Sequence, residues 1–106
     1  MDLLDIKKVY FPVGITRVGI GYSEKGNLKD AIKMALNSPL FEKASLKKAK
    51  NIFCTIYFSG EETLGEFREA IEILSKKFHK DVKILWRGVM KPEELPKAII
   101  FAGGYS

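Results

Sequence analysis

The sequence predicts one two-layer α/β (α+β) domain spanning residues 1–106. It should hold a four-stranded mixed sheet with helices packed on it, in the order α-β-α-β-α-β-β. Three observations carry this. The 106 residues, 46% hydrophobic, suffice for one core and are too few for two domains. Runs of strand-like apolar character alternate with stripes at helical spacing. Glycine, proline and capping residues fall between these segments.

Asp2 to Tyr10 reads as a short helix, with Leu3, Ile6 and Tyr10 on one side and Asp2 and Asp5 near its start. Phe11-Pro12-Val13-Gly14 breaks it, because proline removes a donor and restricts the residue before it. Thr16 to Gly21 is the first strand, whose glycines suggest close packing or an approaching partner. Asn27 stands at an N-cap, and Leu28, Ala31, Ile32, Ala35 and Leu36 form a helical stripe that Asn37-Ser38-Pro39 stops.

Asn51 to Phe58 is apolar on both faces, which predicts a central strand. Ser59-Gly60 ends it. Thr63 and Glu66 form a capping box, followed by a stripe of Phe67, Ala70, Ile71, Leu74 and Phe78. Glu61, Glu62 and Glu66 suit the positive start of that helix, and Lys76, Lys77 and Lys80 its negative end. Val82 to Trp86 is a third strand, Lys91 to Pro96 a turn, and Lys97 to Ala102 a fourth strand. The last two strands are expected to pair as a hairpin. The two long helices should share one face of the sheet.

Composition narrows the function. The net charge is +5, from 18 Lys plus Arg against 13 Asp plus Glu. The lysines look scattered: Lys7, Lys8, Lys43, Lys47, Lys48, Lys76, Lys77 and Lys80 fall in separate segments. A nucleic-acid reader concentrates its basic residues on one face with aromatics between them. A solvated lysine surface is therefore expected, with no nucleic-acid partner. Cys54 is the one cysteine, so no disulfide forms within the chain and a reducing, cytoplasmic setting fits. No apolar run approaches the ~20 residues that span a bilayer, and the N-terminus lacks a signal-peptide core, so no membrane partner is expected.

Chemical motifs are sparse. His79, the one histidine, sits in the charged run KKFHKD and reads as a solvated helix end. Cys54 lies far from it in sequence, and no zinc spacing exists. The phosphate-binding patterns GxxxxGK[ST] and GxGxxG are absent, so no cofactor, no metal and no independent catalysis are expected. Asp2 and Asp5 admit two readings. They are ordinary carboxylates of a helix start, or they orient a water or hold a metal in a partner's site. Arg17, Arg68, Arg87 and Glu24 admit an alternative, an acid-binding cleft between the subunits of a small-molecule-binding or enzymatic oligomer. Each also fits a plain surface ion pair.

Taken in order, the motifs bring a family into view. Gly19-Ile20-Gly21 precedes Tyr22-Ser23-Glu24-Lys25-Gly26-Asn27, an alanine- and leucine-rich helix, and Asn37-Ser38-Pro39-Leu40-Phe41-Glu42. This resembles the C-terminal half of the cell-division GTPase family FtsZ, of the tubulin superfamily, with its GxGxxxGxN segment and N-x-P-L-L-E motif. Ala49-Lys50 is similar to the family's GAK segment, and Thr63-Leu64 with Glu66 to its LTLxE helix start. Ile84-Leu85-Trp86 with Gly88, and Ile99 to Gly103, resemble its last two strands.

The resemblance implies the family's C-terminal domain, a four-stranded mixed sheet flanked by helices. No segment here resembles the family's GTP-binding half or its flexible tail. Asp2-Leu3-Leu4-Asp5-Ile6-Lys7 is similar to the DFADVK stretch of the synergy loop, which enters the next subunit's nucleotide site. There its aspartates orient the water that attacks the γ-phosphate, so Asp2 and Asp5 are the catalytic positions implied, acting only in trans. The implied partners are an FtsZ-like protein or copies of the chain itself. Four departures stand out. The Asn preceding the first aspartate would fall before Met1, Tyr57-Phe58-Ser59-Gly60 replaces a TGG-type turn, Arg87 is inserted before Gly88, and Leu28 replaces an arginine.

Overall fold

The computed structural model describes residues 15–42 and 46–105. The helix expected over Asp2 to Tyr10 lies outside them. The described elements are β1 (Ile15–Tyr22), α1 (Leu28–Leu36), the short α2 (Pro39–Glu42), a 3-10 turn (Leu46–Lys48), β2 (Asn51–Phe58), α3 (Leu64–Ser75), β3 (Lys83–Met90) and β4 (Lys97–Tyr105). The strands form one mixed sheet in the order β1-β4-β2-β3.

The expected hairpin between the last two strands does not form. β3 pairs in parallel with β2, and β4 inserts antiparallel between β1 and β2. Residue character explains the exchange. Ala98, Ile100 and Ala102 of β4 are buried, and Ile99 and Phe101 on its other side are half-buried, so β4 demands a central place. In β3 the half-buried Ile84, Trp86 and Val89 are set among exposed residues, which suits an edge. The link between them passes over the end of β2, where the Lys91 N–H donates to the Phe58 carbonyl at 2.7 Å.

β3 also runs on to Met90, past the expected end at Trp86. The ladder continues through Gly88, which pairs with Ile56 and where a Cβ would come within 3.1 Å of the Phe58 ring, to Val89 and Met90.

α1 and α3 share one face of the sheet, as the two apolar stripes predict. Leu28, Ala31, Ile32 and Ala35 of α1 and Ala70 and Leu74 of α3 meet Ile52, Cys54, Ile56, Ala98, Ile100 and Ala102. α1 seats closely because β1 presents Gly19 and Gly21 beneath it. A Cβ at either glycine would overlap the helix backbone, at the Ala35 carbonyl oxygen and the Ala31 carbonyl oxygen respectively.

The caps are local. Asn27 occupies the N-cap of α1 in extended conformation without capping through its own side chain. Its Nδ2 instead donates to Asp30 Oδ2 at 3.2 Å, and its N–H donates to Ser23 Oγ at 3.0 Å. α3 carries the full capping box, Glu66 N–H to Thr63 Oγ1 and Thr63 N–H to Glu66 Oε2, each 3.2 Å.

Candidate functional site

Along each strand, alternate residues point to opposite faces. The helices take one face, and the other is apolar. On it β1 presents Val18, Ile20 and Tyr22, β4 presents Ile99 and Phe101, β2 presents Phe53 and Tyr57, and β3 presents Leu85 and Val89. Its middle is buried, with Phe53 at 3% exposure. Its flanks are not: Ile20 is 57% exposed, Tyr22 46% and Leu85 44%. Lys97 partly covers it, with Nζ 5.1 Å from the centre of the Tyr57 ring. Large apolar side chains on two flanks of one face are the mark of a contact surface. The sequence holds the signal. Alternation in Gly19-Ile20-Gly21-Tyr22 sends the glycines toward α1 and the large side chains away from it.

The candidate residues named from sequence are dispersed. Asp2 and Asp5 lie outside the described residues. Arg17 projects on the helix side of β1, and its Nε is buried without a hydrogen-bond partner among the described residues. Arg87 projects on the open face of β3, at the other edge of the sheet. Arg68 is exposed on α3, and Glu24 is exposed in the turn after β1. Within one chain these four do not converge on a cleft.

Cys54 has no exposed surface, and burial pushes its thiol from 9.0 up to about 12. It is a core side chain without thiolate reactivity. His79 is exposed, and its Nδ1 accepts the Asp81 N–H at 3.1 Å. Among the described residues no three His, Cys, Asp or Glu side chains gather as a metal site. Among the described helices none is long and apolar enough to cross a membrane.

Glu62 closes the turn after β2. Burial pushes its carboxyl up, but bonds from the Ser59 N–H (2.9 Å), the Ser59 hydroxyl (2.9 Å), its own backbone and the Gly60 N–H (2.8 Å) outweigh that and hold it below the usual 4.5.

The lysines are not scattered in space, contrary to the sequence expectation. β2 and β3 are parallel, so their first residues lie together, and α3 runs back to end beside them. This gathers Lys47, Lys48, Lys50, Lys76, Lys77, Lys80 and Lys83 at one end of the sheet. Among the described residues none of the seven pairs with a carboxylate, and Asp81 lies among them. Lys47 is anchored, its Nζ donating to the carbonyls of Lys76 and Phe78 at 3.1 Å each. A shallow depression of about 240 Å³ runs between these segments, lined by Lys47, Lys48, Lys50, His79 and Asp81 with Ala49 and Val82.

Comparison with known proteins agrees with this architecture. Residues 14–102 match the model of the FtsZ family, C-terminal domain. Cell division protein FtsZ 1 of Methanocaldococcus jannaschii is 31% identical over 87 residues, 81% of this chain and 24% of that protein. Cell division protein FtsZ of Aquifex aeolicus is 25% identical over 95 residues, 89% of this chain and 26% of that one. The chain thus spans about a quarter of the length of these relatives. Among solved structures, an empty FtsZ dimer from M. jannaschii superposes with a TM-score of 0.76 at 26% identity, covering 97% of this chain and 31% of the other.

Proposed function

The chain belongs to the FtsZ family, matching its C-terminal domain, and from that premise we propose that it is a non-catalytic interaction module. It docks onto FtsZ-like subunits, or onto copies of itself, and modulates polymer assembly in the cytoplasm. The observation that carries this reading is the sheet face away from the helices, whose flanks expose Ile20, Tyr22 and Leu85. Covering the exposed half of one such side chain favours a complex by roughly 1 kcal/mol, about half the value for full burial, so several of them together can anchor an interface. The buried, unreactive Cys54 and the dispersal of the arginines support a binding role over catalysis.

The finer part of the proposal concerns Asp2 and Asp5. By their likeness to the synergy loop they reach a partner's nucleotide site and orient the attacking water. The chain does no catalysis alone.

The test is to mix the chain with FtsZ from the same organism and GTP, and to follow light scattering and phosphate release. The proposal expects excess chain to change the scattering. No change in either signal sinks it. The trans-catalytic part expects faster phosphate release, abolished by Asp5→Ala with binding retained. Equal stimulation by the variant removes that part alone.

A further inference from the structure

Residues 46–50 and 76–83 hold seven lysines, one carboxylate at Asp81 and a neutral His79, a net charge of +6. The rest of the chain sums to −1, with Lys25, Lys91 and Lys97 at the opposite end of the sheet offset by Glu24, Glu61, Glu62, Glu93 and Glu94. The acid of the cluster is turned to the histidine: Asp81 Oδ2 lies 3.7 Å from His79 Nδ1. The C-terminal carbonyls of α3 add negative character to this end, but Lys47 Nζ caps those of Lys76 and Phe78. Lys48, Lys50, Lys76, Lys77, Lys80 and Lys83 are exposed, and among the described residues none pairs with a carboxylate.

The side chains say which polyanion fits. The lysines stand about a shallow depression of about 240 Å³, a concave seat for a convex row of phosphates. Neither segment contains arginine, so no planar fork is offered to base edges. Phe78, the aromatic residue within them, is buried and gives single strands no stacking face. What remains is contact with the phosphates of a duplex, carried by charge alone. An anionic membrane fits less well. Stable surface binding takes an apolar or lipid anchor besides a basic patch, and no exposed large apolar side chain among the described residues lies in these two segments.

We infer that the lysine-rich end binds the phosphate backbone of duplex nucleic acid, without regard to sequence. The inference goes beyond the docking reading and uses a different surface, since Ile20, Tyr22 and Leu85 lie on the sheet face away from the helices. Lysines that look dispersed along the chain meet the requirement for one basic face only after folding.

The test is fluorescence anisotropy of a labelled duplex DNA oligonucleotide, about 20 base pairs long, titrated with the full chain. With about four to six phosphate contacts, log affinity should fall against log salt with a slope of about −4 to −5. Kd should therefore rise about 10²–10³-fold between about 50 and about 200 mM NaCl. A duplex of scrambled sequence should bind equally. Lys48→Glu/Lys80→Glu should weaken binding about tenfold or more at the lower salt and flatten the slope by about 2. Lys25→Glu/Lys91→Glu makes the same change in net charge at the opposite end and should stay within about threefold of wild type. These four side chains are exposed and make no hydrogen bond or ion pair among the described residues, and thermal melting confirms that both variants fold. No binding at the lower salt with the chain at about 100 μM overturns the inference, as does equal weakening by the two variants or a marked preference between the duplexes. Capture of the chain by phosphatidylserine vesicles where the duplex is not bound also overturns it and assigns this end to a membrane surface. None of these results bears on scattering by FtsZ mixtures, so the docking proposal stands or falls separately.

Discussion

Replacing Gly19 with alanine tests how the helix layer sits on the sheet. The added Cβ would overlap the Ala35 carbonyl oxygen and the Phe41 ring. At Gly21 it would overlap the Ala31 carbonyl oxygen and the Ala35 nitrogen, and would lie 2.9 Å from Met34 Cβ. These are mostly backbone atoms of α1, which cannot rotate aside as a side-chain tip can. Overpacking costs about 1–3 kcal/mol, and a rigid obstacle puts both substitutions near 3. For a domain near 100 residues, at about 4–8 °C per kcal/mol, either variant should melt roughly 12–24 °C lower. That is a large share of the ~5–15 kcal/mol typical of a whole domain. The double variant should cost less than the sum, because both substitutions lift the same helix. Gly65→Ala is the control of opposite sign. Its nearest neighbour would be Thr63 Oγ1 at 3.7 Å, an ordinary contact, and an alanine in the helix should stabilise by about 0.5 kcal/mol. Urea unfolding followed by circular dichroism measures all four. If Gly19→Ala and Gly21→Ala fall within about 0.5 kcal/mol of wild type, the close seating of α1 on β1 is wrong.

Further predictions address the caps and titrating groups. Thr63→Ala should cost about 1 kcal/mol in the same assay, and an unchanged midpoint would mean the capping box contributes nothing. Folding keeps the Cys54 thiol neutral, so its contribution is complete below pH 9.0 and lost as pH rises toward about 12. The loss approaches 1.4 kcal/mol per pH unit, at about the rate set by proton linkage. Wild type should therefore lose more stability than Cys54→Ala between pH 8 and 11, and equal losses would contradict the burial argument. The Glu62 contribution is present above the usual 4.5 and lost as pH falls through its lowered folded value. Glu62→Gln should remove that part of the acid dependence and speed amide exchange at Ser59 and Gly60. Unchanged exchange would show that the turn does not depend on the carboxylate.

Much of the fold was legible because its signals are local. The span Asn51–Phe58 was readable from a continuous apolar run, and the start of α3 from Thr63 and Glu66, which need only each other. Strand pairing was not, because it depends on residues far apart in the chain. Proximity in sequence argued for a hairpin of β3 with β4, while burial of Ala98, Ile100 and Ala102 placed β4 in the middle. The lysine end was hidden for the same reason. Lys47 to Lys50, Lys76 to Lys80 and Lys83 become neighbours only when two parallel strands start together and α3 returns beside them. The open face was half legible. The glycine alternation of β1 pointed to close approach on one side, and its large side chains on the other side then had nowhere to go but outward.

The central claim is that this face docks onto an FtsZ-like subunit. The most direct measurement is an NMR titration of isotope-labelled chain with unlabelled FtsZ from the same organism. Docking predicts shifts or broadening concentrated at Ile20, Tyr22, Leu85 and Ile99, abolished by Ile20→Glu/Leu85→Glu in a chain that still folds. A spectrum unchanged at excess FtsZ, or shifts confined to the helical layer, would contradict it.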